Sequence, residues 1–210
     1  WKASTAQGHA DYLSTLEPKL IPGPVQMGEI AAWLNKTLPD DALICNGAGN
    51  YATWMHRYFQ YRGYRNQLAP TSGSMGYGLP SAVAAKLVHP DRVVVSMNGD
   101  GCFMMHGQEL ATAMQYGANI IAIIINNSML GTIRMHQERE YPGRAANTGL
   151  RNPDFAALAR SYGANGETVA STEEFQPAFE RALVANVPTV IEIKIDPEAI
   201  TPMTTLTAIR

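Results

Sequence analysis

The stretch Val93-Val94-Val95-Ser96-Met97-Asn98-Gly99-Asp100-Gly101 decides how this chain folds, read together with its echo Ile120-Ile121-Ala122-Ile123-Ile124-Ile125-Asn126-Asn127. In each, an apolar run of strand length stops on a residue that carries a hard oxygen: a carboxylate at Asp100, a carboxamide at Asn127. Twenty-four residues separate Gly101 from Asn126, which is room for one crossover helix between two neighbouring parallel strands. Runs that are apolar at successive positions suit strands covered on both faces.

Outward from this pair the chain alternates. Helical spacing at Met27, Ile30, Ala31, Leu34 and Leu38 predicts a helix over 25–38, and Ala42-Leu43-Ile44-Cys45 predicts a short buried strand ended by Asn46-Gly47-Ala48-Gly49-Asn50. An aromatic helix follows over 51–59, then a short strand at 66–69. The glycine loop Thr71-Ser72-Gly73-Ser74-Met75-Gly76-Tyr77-Gly78 opens an alanine-rich helix over 79–88. Beyond strand 93–98 come a helix at about 107–116, strand 120–126, and a short helix after the turn at 128–131. A loop at 141–152, helix 153–162, strand 165–170, helix 172–186 and strand 189–195 complete the unit. The pattern predicts an α/β fold: a doubly wound, mostly parallel six-stranded sheet with helices on both faces, whose ligand binds beyond the carboxyl ends of the strands. Residues 25–196 form that domain. Residues 1–24, weakly helical at first and then rich in proline at Pro18, Pro22 and Pro24, read as a linker from an upstream domain that is missing; 197–210 read as an irregular tail. The first residue is Trp1 rather than Met, which suggests a piece trimmed from a longer chain.

The chain has 210 residues, 46% of them hydrophobic and 16% charged, a globular composition with room for one sizeable core. A formal net charge of -2 without a basic block gives no push toward nucleic acid or an anionic membrane. No apolar run reaches bilayer length. Cys45 and Cys102 lack metal-site spacing and read as reduced thiols of a cytoplasmic protein.

Asp100 and Asn127 at adjacent strand ends supply what a hard divalent cation wants, with the backbone carbonyl of Met129 as a third ligand and phosphate oxygens completing the shell. Amides of Gly101, Cys102, Leu130, Gly131 and Thr132 are placed to bind phosphate, and Gly99 and Gly101 let the backbone approach it closely. Alone, either Asp100 or Asn127 reads as an ordinary turn or cap residue; the pair reads as a metal site.

Gly-Asp-Gly followed at this spacing by Asn-Asn resembles the thiamine diphosphate motif, and Gly73-Ser74-Met75-Gly76-Tyr77-Gly78-Leu79-Pro80 resembles the pyrimidine-binding loop of acetolactate synthase-like enzymes. From about Val25 to about Asp196 the chain is similar to their C-terminal, diphosphate-binding domain. The resemblance implies thiamine diphosphate and Mg²⁺ as cofactors, with Asp100, Asn127 and the Met129 carbonyl on the metal. It implies that Met75 is the catalytic wedge that bends the cofactor, that Gly73, Ser74 and Met75 contact the pyrimidine, and that Gly47, Gly49 and Asn50 line the diphosphate. It implies decarboxylation or carboligation of a 2-keto acid, in a homodimer or homotetramer. A Glu from a separate N-terminal pyrimidine-binding domain activates the cofactor in that family; Glu109 is misplaced for this, so the chain alone is expected to be inactive. The aromatic Trp that biosynthetic acetolactate synthases carry after Asn-Asn is absent; His136 stands near that place, and it and Arg134 read as surface residues or substrate contacts.

Other readings exist. Gly47-Ala48-Gly49-Asn50-Tyr51-Ala52 matches a dinucleotide fingerprint, but no Asp or Glu lies between Ala42 and Pro90 to hold a ribose; Arg65 instead suits a 2′-phosphate. Another thiamine diphosphate lyase or acyltransferase, and a non-catalytic interaction module, complete the alternatives. Trp54, Met55, Tyr58, Phe59, Tyr61 and Tyr64 divide between core and a partner-facing surface.

Overall fold

The computed structural model describes residues 1–210. Six strands, β1 (Leu43–Asn46), β2 (Gln67–Leu68), β3 (Val94–Gly99), β4 (Ile121–Asn126), β5 (Asn165–Val169) and β6 (Thr189–Lys194), form one sheet in the order β2-β1-β3-β4-β6-β5. Every neighbouring pair is parallel. After β2 the chain crosses back past β1 to place β3 on its other side, so the winding reverses between β1 and β3. That reversal opens a crevice at the carboxyl ends of the strands.

Alternation along the strands divides the core into two layers. Ile121, Ile123 and Ile125 of β4 enter a cluster of 28 buried residues, whereas Ala122 and Ile124 enter one of 18 on the opposite face. The larger layer is covered by α2 (Met27–Thr37), α3 (Ala52–Tyr58) and α9 (Thr172–Val184), the smaller by α4 (Gly78–Val88), α6 (Glu109–Tyr116) and α8 (Phe155–Ser161). Each buried isoleucine contributes roughly 1.5–3 kcal/mol, so the central strands hold the sheet rigid beneath the loops at its carboxyl edge.

Two segments differ from the sequence expectation. Residues Asp100–His106 form a helix, α5, beginning inside the Gly-Asp-Gly turn, and α6 follows only after a break at Gly107-Gln108. Seven residues are too few for a helical period to show in sequence. The tail is not irregular: β7 (Ala199–Thr201) and β8 (Thr204–Thr205) pair antiparallel and α10 (Leu206–Ile209) follows, burying Ile200 and Leu206. Its end is fastened to α7 (Gly131–Glu140), whose fully buried Glu138 accepts from Arg134 Nε at 2.9 Å, Arg210 Nη2 at 3.2 Å and the Gly143 amide at 2.8 Å. Residues Lys2–Ser14 form α1, none of them buried, while Pro18–Pro24 is extended up to the Gln26 side chain, which accepts from the Ile21 amide at 2.9 Å.

Candidate cofactor-binding site

β3 and β4 are adjacent and in register, with Gly99 beside Ile125, so Asp100 and Asn127 leave the sheet at the same edge from neighbouring strands. β1 lies on the other side of β3 and delivers residues 47–51 to that edge. These loops enclose a cleft of about 520 Å³, open mouth included, whose walls comprise Gly49, Asn50, Met75, Gly99, Asp100, Gly101, Cys102, Asn127, Met129, Leu130, Gly131 and Thr132. Twelve of the residues singled out from sequence thus meet around one space. Gly47 lies just behind the wall, where a Cβ on it would fall 2.5 Å from Cys102 Sγ. Gly73 and Ser74 do not reach the cleft; they stand on the exposed part of their loop, with Ser74 Oγ 2.8 Å from Ser72 Oγ.

Asp100 is 3% exposed. Its Oδ1 accepts from the Gly101 amide at 2.8 Å and its Oδ2 from Asn152 Nδ2 at 2.7 Å. Burial pushes its carboxyl above the usual carboxylate range, against the pull of the Gly101 amide, Asn152 and the backbone of Ser128 and Met129. The second loop is shaped by its own asparagines. Asn126 Oδ1 accepts from the Ser128 amide at 2.9 Å and Asn127 Oδ1 from the Met129 amide at 3.2 Å, with Ser128 at a left-handed φ of 56°. A returning strand segment ties this turn down: the Leu130 amide donates to Thr148 O and the Leu150 amide to Ser128 O, both at 2.8 Å. α7 then begins at Gly131, its first-turn amides free of intrahelical partners and so available to an anion. Thr132 Oγ1 donates to Asn50 Oδ1 at 2.9 Å and accepts from the Asn50 amide at 3.0 Å, closing the wall between the β1 and β4 loops.

Cys102 joins this wall to the glycine loop. Its Sγ accepts from the Gly76 amide at 3.0 Å and lies 3.2 Å from Tyr51 Oη. Burial foremost, then the Cys102 thiol, raise the Tyr51 phenol well above its ordinary pKa, so it stays neutral. His106, at the end of α5, places Nδ1 3.1 Å from Gly76 O. His136 is exposed on α7.

The donor set fits a dication shared with a diphosphate. No three His, Cys, Asp or Glu side chains come together anywhere in the chain. One buried carboxylate, one carboxamide and a turn carbonyl leave coordination positions for phosphate oxygens, as Mg²⁺ prefers. Trp54 also lines the cleft; the residue is 1% exposed, and its Nε1–H is sealed inside the chain without a partner.

Sequence reasoning missed Tyr51, Trp54, Asn126, Asn152, Ile195 and Ile200. Trp54 was weighed in the aromatic run as core or interface, and Tyr51 entered only as part of the Gly47–Ala52 fingerprint and the start of the aromatic helix. Asn152 carried no signal beyond an Asn before Pro153, and Ile200 belongs to the tail hairpin.

Fold and site define a domain that binds a diphosphate-bearing cofactor at the switch point of a parallel sheet. Comparison with known proteins makes this specific. Residues 47–193 match the family described as thiamine pyrophosphate enzyme, C-terminal TPP binding domain. The chain is 36% identical over 203 residues to the acetolactate synthase large subunit of Corynebacterium glutamicum, covering 90% of this chain and 32% of that protein. It is 31% identical over 177 residues to the same subunit of Haemophilus influenzae, covering 83% and 31%. Among solved structures, the thiamine diphosphate-dependent 4-hydroxybenzoylformate decarboxylase of Rhodococcus jostii RHA1 superposes with a TM-score of 0.79 at 31% identity, over 86% of this chain and 34% of that one. The chain belongs to the thiamine pyrophosphate enzyme family, as its C-terminal cofactor-binding domain. It spans about a third of the length of the curated relatives it matches. No helix is long and apolar enough to cross a membrane.

Proposed function

We propose that this domain holds Mg²⁺ and the diphosphate end of thiamine diphosphate in a cytoplasmic enzyme that decarboxylates or ligates 2-keto acids, as acetolactate synthase-like enzymes do. The observation that carries the reading is the meeting of Asp100, Asn127 and Met129, from two adjacent strand ends, in one cleft. Asp100 and Asn127 bind the metal by side chains and Met129 by its carbonyl. The α7 amides and the Gly49-Asn50 turn receive the phosphates. Met75 projects from the glycine loop into the cleft as the wedge under the cofactor, with Gly73 O and the Met75 amide on the pyrimidine side. Neither group is engaged in a backbone hydrogen bond within the chain. When bound, the cofactor supplies a carbanion equivalent and an electron sink for the keto acid.

The residue that activates the pyrimidine must come from elsewhere. Glu109 starts α6 and accepts from Thr112 Oγ1 at 2.8 Å, a local helix contact. The chain alone is therefore inactive and completes its site against an N-terminal pyrimidine-binding domain, in a homodimer or homotetramer. Tyr77, Met104 and Met105 are exposed beside the glycine loop and offer an apolar surface to it. Calorimetric titration of thiamine diphosphate tests the reading: binding should require Mg²⁺ and vanish in Asp100→Ala. Metal-independent binding, or decarboxylation by the purified 210-residue chain, would refute it.

A further inference from the structure

We infer that Asn152 is a positioning residue for the metal ligands, the centre of a partly buried amide relay that sets the orientation of Asp100 and of the turn after β4. The inference rests on the proposed function and extends it to residues outside the ligand set. Asn152 Nδ2 donates one hydrogen to Asp100 Oδ2 at 2.7 Å and the other to Asn126 Oδ1 at 2.9 Å. Both hydrogens of one amide are thereby spent on the two strand ends that carry the site. The relay continues inward: Asn126 Nδ2 donates to Glu192 Oε1 at 2.7 Å, and Glu192 Oε2 accepts from Thr168 Oγ1 at 3.2 Å. Glu192 lies on β6 at 1% exposure, next to Asn126 and its strand.

The polarity of this chain of bonds is fixed. Glu192 Oε1 at one end and Asp100 Oδ2 at the other each accept a hydrogen from an amide nitrogen. Asn126 must then turn its nitrogen to Glu192 and its oxygen to Asn152 and the Ser128 amide. If either amide were reversed, two like groups would face each other in a buried site, which is expensive. The result is that Asp100 has its plane set by two donors, Gly101 on Oδ1 and Asn152 on Oδ2. The same Asn126 oxygen holds the Ser128 amide, one residue before the Met129 carbonyl.

Asn152 has no competing local duty. The cap of α8 is Asp154, whose carboxylate accepts from the Ala157 amide at 2.8 Å. The segment leading to Asn152 is pinned across the metal turn by the Met129–Gly149 bridge, so the side chain arrives already aimed. Groups that orient metal ligands in this way typically contribute about 10–100-fold to metal affinity.

The test uses the complete protein that contains this chain, with thiamine diphosphate titrated calorimetrically at a series of Mg²⁺ and, separately, Ca²⁺ concentrations. Mg²⁺ demands near-ideal octahedral geometry, whereas Ca²⁺ accepts irregular oxygen shells. Asn152→Ala is expected to raise the half-saturating Mg²⁺ concentration about 10-fold or more and that of Ca²⁺ by less than about 3-fold. An equal loss for both ions marks a purely structural role and overturns the inference, as does an unchanged Mg²⁺ requirement. If Asn152→Ala does not fold, Asn152→Ser carries the test with the same two ions; its single hydroxyl donor can serve one partner only, and the same skew toward Ca²⁺ is expected. Absence of Mg²⁺-dependent binding in the unsubstituted protein would instead refute the proposed function, so the two failures are distinguishable.

Discussion

The two loops that face the cleft are built in opposite ways. The rim at the ends of β3 and β4 is buried and internally bonded: Asp100, Asn126 and Cys102 are all under 9% exposed, and nearly every polar group on it has a partner. The glycine loop from Thr71 to Ser74 is exposed throughout, and only its end is fastened, through Gly76 to Cys102 and His106. The cleft wall proposed for the diphosphate is built entirely from this chain. The pyrimidine half is presented rather than enclosed, as expected of a surface that another domain covers. Enclosure takes three strand ends converging on one point, which a single sheet provides. A second wall would need chain that crosses the open edge, and the 210 residues supply none there.

Substitutions can break or sharpen this contrast. The largest effect is expected at Asp100. Asp100→Ala should weaken thiamine diphosphate binding in Mg²⁺ by about 100-fold or more, because it removes the one charged ligand. Its urea midpoint without ligand should change little or rise, since a buried carboxylate held above its usual pKa is lost. A fall in stability with binding intact would reverse the roles assigned to the rim.

The next effect compares two glycines. A Cβ at Gly99 would lie 2.7 Å from the Tyr51 ring, so Gly99→Ala should cost about 1–3 kcal/mol of unfolding free energy through overpacking. Gly73 has a φ of 69° but nothing within 4 Å, so Gly73→Ala should cost only about 1 kcal/mol of backbone strain. Equal losses in chemical denaturation would mean that the loop is as tightly packed as the rim.

Alkaline pH probes how dry the tight half is. Burial pushes the Cys45 thiol, on β1, from 9.0 up to about 12. Between those values the unfolded chain binds fewer protons than the folded one, so stability falls as pH rises. The contribution is whole below the unfolded pKa and is lost at about 1.4 kcal/mol per pH unit above it. Denaturation at about pH 8 and about pH 10 should show this drop, and Cys45→Ala should reduce it. A wild-type protein equally stable at both would show that water reaches β1.

Trp54→Phe gives the smallest effect. It keeps an aromatic ring and deletes a sealed, unpartnered N–H, so thiamine diphosphate affinity should stay within about 2-fold. A larger loss in the titration would show that the indole N–H meets the ligand.

Much of this was readable from the chain. The β4 run is apolar at both parities, and with the strand–helix alternation around it that suits a parallel sheet with two covered faces. The ends of β3 and β4 carry Asp100 and Asn127 because hard-oxygen ligands can be recognised by type and spacing. The α5 helix and the tail hairpin were not readable, being shorter than any period that could mark them.

By itself, then, the sequence determined the layered fold, a ligand site beyond the carboxyl ends of the strands and the identity of the groups most suited to a metal and a phosphate. Those are local matters of side-chain chemistry and of strand and helix period. Only the tertiary structure decided that Asn152, 52 residues from Asp100 along the chain, supplies its second donor, and that Ile200 from the tail closes the cleft. Hydrogen bonds between distant segments depend on which loop end returns to which strand, and an isolated asparagine before a proline says nothing of where its amide will be needed.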